Sequence, residues 1–294
     1  MRIKKKRIRK KDYFYLEHSI WEDGTVTKKE RYLGTELPED IEEIKLRFNY
    51  DLMSETYFSK FSSIKKNFSG EFRKMPPSAR KKYLDYFMIK FTYDSNRIEG
   101  STITLKETAK ILERGITPRN KPVEDVKETE AHRAVFDEVV GYKKDLSLAI
   151  ILKWHKMLLG GTQSDIAGKI RKHQVKVAGS KAEFAIPAEI DTLLDEFIKW
   201  YRKNRAKMDP VELATLTHLK FVSIHPFADG NGRMSRMLMN FILHRNGYPM
   251  LNIKYSNRDS YYNALERAQV KKQDRIFLLH IFRRYLREYK KYLK

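Results

Sequence analysis

The chain has no cysteine among its 294 residues. Disulfides and thiolate metal sites are therefore excluded, and a reducing, cytoplasmic setting is the expectation. No apolar run approaches the ~20 residues a membrane-spanning helix needs. The basic start, Arg2 to Lys11, lacks the apolar stretch of a secretory signal, so no export signal is expected. H-E-x-x-H, a Walker A lysine loop and G-x-S-x-G are all missing, which removes sequence support for a zinc metalloprotease, a P-loop enzyme and a serine hydrolase. Acid is also scarce: 38 Asp and Glu stand against 60 Lys and Arg, a net charge of +22. The excess gathers at the ends. Eight of the first eleven residues are basic, and Arg283, Arg284, Arg287, Lys290, Lys291 and Lys294 repeat the theme. A solvated, partly disordered arm is the first expectation for the start; binding of nucleic acid or an acidic protein is the second.

What is present concentrates between residues 209 and 247. Asp209 followed by Pro210 reads as a helix cap and first helical position, with Glu212 three residues after the cap. Leu213, Leu216, Leu219, Phe221, Val222 and Ile224 supply a broad apolar face. Pro226 disfavours helical geometry at His225, so the helix ends there and leaves the imidazole at a turn. Gly230-Asn231-Gly232 lets backbone N–H groups converge on an anion. A second helix starts near Gly232 and stops at Asn246-Gly247, its positive dipole end pointing back at the loop. Arg233 and Arg236, three apart, share a face of its first turn. A neutral histidine, a carboxylate (Asp229), an anion cradle and two guanidiniums suit proton removal beside a polyphosphate.

The segment from His225 to Arg236 resembles the Fic signature, H-x-F-x-[DE]-G-N-G-R-x-x-R, at every specified position. The resemblance runs from about Thr92 to about Ala268. It implies transfer of AMP from ATP to a Ser, Thr or Tyr hydroxyl of a target protein, the chain itself included, with Mg²⁺ or Mn²⁺. By the same resemblance His225 is the base and Asp229 the metal ligand. Phe227, Gly230, Asn231, Gly232, Arg233 and Arg236 belong to the nucleotide and phosphate site. Transfer of another nucleotide or phosphate-containing group is the alternative, and a nucleic-acid-binding regulator with a vestigial Fic site is a reading of a different class.

A second feature lies upstream. Ser78 to Arg97 reads as a helix ending at Ile98-Glu99-Gly100, which puts a glutamate at the negative end of the helix dipole, unfavourable by a few tenths to ~1 kcal/mol. A cationic partner would offset this. Ser95 to Gly100 matches the Fic inhibitory pattern [ST]-x-x-x-E-[GN], in which Glu99 pairs with the second signature arginine, here Arg236. The resemblance implies autoinhibition, with removal of AMP as a further expectation.

Other segments fill the frame. Thr104 to Glu107 is a capping box, and His155 reads as a packed helix histidine rather than a ligand. Alternation around Gly179 suggests a short hairpin between Gln174 and Pro187. It occupies the position of the family's target-docking flap, with Val175, Lys176 and Val177 as candidates. Tyr261 and Tyr262 resemble a pair beside the nucleotide base. Near the start, Tyr13 to Ile20 and Thr25 to Leu33 flank Asp23-Gly24, a hairpin signal, followed by a helical linker around Pro38 to Phe48. The expected fold is mainly α: a Fic-type helical core with a β-hairpin flap over residues 51–294, its inhibitory helix at about 78–99. A basic arm and small β-hairpin unit occupy 1–50. A homodimer is among the expected states.

Overall fold

The computed structural model describes residues 1–22, 25–176 and 179–293; the expected Asp23-Gly24 turn and the flap candidate Val177 lie outside the described residues. The chain divides into two compact units, residues 1–60 and 61–294.

In the first unit, β1 (Arg2–Ile8), β2 (Lys11–Glu22) and β3 (Thr25–Gly34) form an antiparallel sheet in that order. The basic start is thus a strand rather than an arm, and the expected hairpin gains a third strand. Arg2 lies opposite Glu17 and Ile8 opposite Lys11. The intervening Arg9 and Lys10 both take positive φ, 46° and 67°, as a tight two-residue hairpin turn demands. Charge explains why so basic a strand can pair: Arg2 and Lys4 reach Glu17, and Lys4 and Lys6 reach Glu30. Alternation along β2 sends Leu16 to one face, where it is buried with Phe48 and Leu52 of α1 (Ile41–Met53), and Leu33 and Ile44 pack around them.

The second unit is helical. After α2 (Ser59–Lys74) come α3 (Pro77–Ile98), α4 (Leu105–Arg114), α5 (Val123–Gly141) and α6 (Leu148–Leu159). Then follow α7 (Ile190–Asn204), α8 (Pro210–Ile224), α9 (Asn231–Arg245), α10 (Arg258–Lys271) and α11 (Asp274–Glu288). α8 is buried nearly all round, as a central helix should be. Asp209 caps it through Val211 N at 2.8 Å. Glu212 does not close a reciprocal capping box: it is buried, and its Oε2 has no hydrogen-bond partner. Trp154, Phe221, Phe227, Phe241, Phe277 and Phe282 are fully enclosed around α8 and α9. At ~1.5–3 kcal/mol per large apolar side chain, these rings account for much of the rigidity under the α8–α9 turn. Thr104 and Glu107 form the capping box that opens α4.

Among its described residues, the segment between Gly168 and Pro187, where a flap hairpin is expected, contains no strand. The two arms are joined by side chains instead. Arg171 donates to the carbonyls of His173 and Ala185 (2.8 and 2.5 Å), and Gln174 donates to that of Phe184 at 3.2 Å. A guanidinium that takes carbonyls from both arms replaces the backbone ladder. Among the described residues no helix is long and apolar enough to cross a membrane.

Candidate active site

The turn from α8 into α9 is built around a strained histidine. His225 is the C-cap of α8 with φ 54° and ψ 57°, a left-handed conformation that non-glycine residues rarely adopt. Arg171 holds it there: its Nε donates to the His225 carbonyl at 2.7 Å and its backbone N–H to that of Pro226 at 3.0 Å. The imidazole Nδ1 lies 3.3 Å from the Val222 carbonyl. A carbonyl only accepts, so Nδ1 carries the proton and Nε2 keeps its lone pair. Burial pushes the imidazole pKa down to about 4, the nearby Arg171 charge adding to this. His225 is therefore a neutral base at pH 7.

The glycine loop is shaped from below. Asn231 Oδ1 accepts from Phe227 N (2.9 Å), and its Nδ2 donates to Phe227 O (2.8 Å). Asn231 is 2% exposed, and its amide clamps the loop whose backbone N–H groups are expected to face the anion. The Phe227 ring is fully buried and stacks on His155, centroids 3.6 Å apart at 9°. His155 accepts from Gly168 N at Nδ1, which leaves Nε2–H to donate to the Asp229 carbonyl at 3.0 Å. Gly230 caps α9 at φ 78°, and a Cβ there would stand 3.3 Å from His155 Nε2. The loop's glycine is required by both its conformation and its neighbour.

Asp229 is preset by three donors. Its Oδ1 accepts from Gly230 N (2.6 Å), and its Oδ2 from Gln163 Nε2 (2.8 Å) and Arg233 Nη2 (3.0 Å). Burial pushes this carboxyl up, but Arg233, Gln163 and Gly230 outweigh it, and the group stays ionised below its ordinary range. Arg233 also grips Glu128 on α5 at 2.5 Å. Burial raises the Glu128 carboxyl against that attraction. Asp229 remains 42% exposed. Among the described residues no cluster of three or more His, Cys, Asp or Glu could hold a metal. The site thus offers a divalent cation one oriented carboxylate, a donor set that fits Mg²⁺, which commonly takes its other ligands from phosphate and water.

Arg236 is the second fixed charge. It is 1% exposed, with Nε on Ser95 Oγ (3.0 Å) and Nη2 on both Ser95 O (3.1 Å) and Glu99 Oε1 (2.6 Å). Burial alone would lower its pKa, but the Glu99 charge holds it above the ordinary arginine value. Glu99 is the C-cap of α3, and Gly100 follows at φ 106°. Ser95, Glu99 and Arg236, 141 residues apart at the extremes, are thus brought together. Gly232 makes this possible. A Cβ there would collide with Glu99 Oε1 and lie 3.2 Å from Arg236 Nη1. The carboxylate occupies the space glycine leaves.

Glu99, His225, Gly232, Arg236, Tyr261 and Tyr262 line one cavity of about 380 Å³. Arg233 does not line it, since its Nη groups are taken by carboxylates. Tyr261 is buried with its OH 2.8 Å from His218 Nε2; Tyr262 is 40% exposed and stands beside it, rings 5.3 Å apart. Phe184 closes the cavity over His225 at 4.1 Å. Val175 is half-buried and Lys176 exposed, and neither reaches the cavity. A wider groove of about 610 Å³ beside Lys65 and Tyr248 contains none of the signature residues. Sequence reasoning missed Glu128, Gln163, Arg171 and Phe184. None sits in a local pattern; only Phe184 falls within a segment the sequence marks, Gln174 to Pro187.

Within this fold, residues 145–243 match the model of the Fic/DOC family. Over 180 residues, 60% of the chain, it is 35% identical to the protein adenylyltransferase Fic of Drosophila melanogaster. Identity to the protein of the same name from Nematostella vectensis is 34% over 181 residues. The chain spans 36% and 42% of the length of these relatives. Among solved structures, a Fic-domain-containing signalling protein from Bacteroides thetaiotaomicron superposes with a TM-score of 0.71 at 27% identity, covering 79% of this chain and 96% of that one. A fragment of Fic-1 from C. elegans gives 0.69 at 26%, covering 87% and 77%.

Proposed function

We propose that the chain is an autoinhibited protein adenylyltransferase. It transfers AMP from ATP to a Ser, Thr or Tyr hydroxyl of a target protein, its own hydroxyls included. The observation that carries this reading is the placement of a neutral base, His225, and a fixed cation, Arg236, on the walls of one cavity, with the Glu99 carboxylate seated on that cation. The 35% identity to protein adenylyltransferases over 60% of the chain supports it.

His225 Nε2 takes the proton of the attacking hydroxyl as its oxygen bonds to the α-phosphorus; the bond to the β-phosphate oxygen breaks and pyrophosphate leaves. Such displacements depend on alignment and charge neutralisation more than on covalent help. Backbone N–H groups at the start of α9 and the helix dipole face the phosphates. Asp229 would hold Mg²⁺, which supplies charge neutralisation between phosphates. Arg236 binds the outermost phosphate once Glu99 has left it, and Arg233 acts by holding Asp229. Tyr261, Tyr262 and Phe184 supply a wall for the base. The segment around Val175 and Lys176 presents its backbone to an extended target chain by strand addition. With Glu99 in place, the same base and cradle suit removal of AMP, the reverse function. A chain without cysteine fits a cytoplasmic setting.

The test follows label from α- or γ-labelled ATP into protein. α-Label incorporation that rises in Glu99→Gly and vanishes in His225→Ala is the expected result. Incorporation of γ-label would replace the reading with phosphorylation.

A further inference from the structure

α10 presents Tyr261 and Tyr262 to the cavity, but another of its faces, with α11, walls a separate groove of about 560 Å³. Arg267 enters it from α10, and Arg283, Arg284 and Arg287 enter from α11. No Asp or Glu lines the groove. Several other arginines of this unit meet acids: Arg205 with Asp145, Arg233 with Glu128, Arg236 with Glu99, Arg258 with Asp259. Among the described residues the four groove arginines make no ion pair. Arg284 has a single 3.5 Å bond to the Asn252 carbonyl, and its Nε and the neighbouring His280 Nε2 are enclosed without partners. Burial and the surrounding guanidiniums depress the His280 pKa, so the imidazole adds no further charge at pH 7.

Four like charges on a wall that holds no carboxylate repel one another, offset in part at Arg284 by the charges of Glu288 and Asp94, and a bound polyanion would remove the rest of that repulsion. The spacing suits a chain of phosphates. Arg283 and Arg287 stand one turn apart, ~6 Å along the helix axis, against ~3.4 Å per phosphate along one strand of a duplex. The wall therefore spans two to three phosphates. No Phe, Tyr or Trp lines the groove, which disfavours single strands, because these are held largely by base stacking. The net charge of +22 adds a long-range attraction for a long polyanion that a small phosphate ester would not need.

We infer that this groove is a backbone site for duplex nucleic acid, held through its phosphates without readout of sequence. The inference does not depend on AMP transfer, since none of its residues belongs to the proposed catalytic machinery.

The experiment measures binding of a labelled random 20-base-pair DNA duplex to the full chain by fluorescence anisotropy between 50 and 200 mM salt. Two to three phosphate contacts give a slope of log K against log salt of about −2 to −3. Changing Arg267, Arg283 and Arg287 together to Gln brings the slope close to zero and weakens binding at 50 mM salt by at least about tenfold. Changing Lys65, Lys66 and Arg73 to Gln removes the same charge from the other groove and leaves most of the affinity. Equal loss in both triple variants would overturn the site in favour of bulk charge. Strong preference for one duplex sequence would overturn the backbone reading. Tripolyphosphate or polyglutamate binding in place of the duplex would overturn the nucleic-acid assignment. The arginine triple variant made in the Glu99→Gly protein keeps α-label transfer, which reports folding independently of duplex binding.

Discussion

Replacing Glu99 by Gly has two opposite effects that the geometry lets one size. The carboxylate lies 2.6 Å from Arg236 Nη2; the arginine is 1% exposed and the glutamate 28%. A hydrogen bond to a charged group contributes ~1.5–3 kcal/mol net. The higher penalty for breaking a fully buried pair does not apply, because water reaches Glu99. If ATP must displace Glu99 to reach Arg236, removing the competitor raises kcat/KM for ATP by that energy, about 10- to 150-fold at 1.4 kcal/mol per decade. Without nucleotide the same change leaves Arg236 with only Ser95, so Tm falls, by about 3–10 °C for a unit of this size. The two effects separate in one pair of assays: α-label transfer against ATP concentration, and thermal unfolding with and without Mg²⁺ and ATP. The variant should be the less stable protein alone and show the larger rise in Tm on adding nucleotide. Glu99→Gln, which keeps an acceptor but no charge, should fall between. Equal kcat/KM together with an equal response of Tm to ATP would refute competition for Arg236.

Four further outcomes follow from the same geometry. Gly232→Ala should cost more stability in wild type than in Glu99→Gly, with a coupling of roughly 0.5–3 kcal/mol from urea midpoints; strict additivity would show that the Cβ and the carboxylate do not meet. Arg171→Leu, in the Glu99→Gly protein, should lower kcat by about tenfold or more while changing KM for ATP little, since Arg171 holds the His225 turn but does not line the cavity; an unchanged kcat would remove it from that role. With His225 held at about 4 by burial, the acid limb of transfer should lie near pH 4–5, and a half-loss at pH 6.5 would contradict the buried, neutral base. For stability, burial holds His132 and His218 to about 3 and His155 and His225 to about 4, so the unfolded chain takes up protons below about 6.5 and stability drops with pH. Asp209 and Glu212, raised by burial to about 6 and about 7, oppose this by keeping protons that the unfolded chain releases. Asp209→Asn with Glu212→Gln should therefore steepen the loss between pH 7 and 5, and an unaltered slope would disprove the opposition.

Local determinants made the centre of this site readable from sequence. Asp209 and Pro210 open α8, Pro226 stops it, and Gly230 and Gly247 bracket α9, each acting within a few residues. Glu99 and Arg236 are 137 residues apart and could be matched only because each lies in a recognisable pattern. Glu128 and His155 support the same loop from other helices and Gln163 from the turn after α6, with nothing nearby in sequence to mark them. The β1 strand was hidden by its composition: Arg2, Lys4 and Lys6 alternate correctly, but the acids that neutralise them lie on β2 and β3. In the flap, alternation marked an extended chain, and Arg171 then claimed the carbonyls a hairpin would have paired.

The helix that carries Glu99 cannot itself be the moving part. Thr92 of α3 holds His132 at 2.9 Å, and Asp94 accepts from Asn252 (2.6 Å) and from Tyr255 N (2.7 Å), so α3 fastens α5 and the approach to α10. Detaching or melting it would dismantle the walls of the cavity that the glutamate guards. Glu99, however, sits just past the last helical residue, and its side chain can swing without breaking any helical hydrogen bond. On the proposed reading, whether Arg236 is blocked or free is then written in one side-chain torsion. A regulator would have only to choose a rotamer, on the fast timescale of side-chain motion, while the scaffold stays as it is.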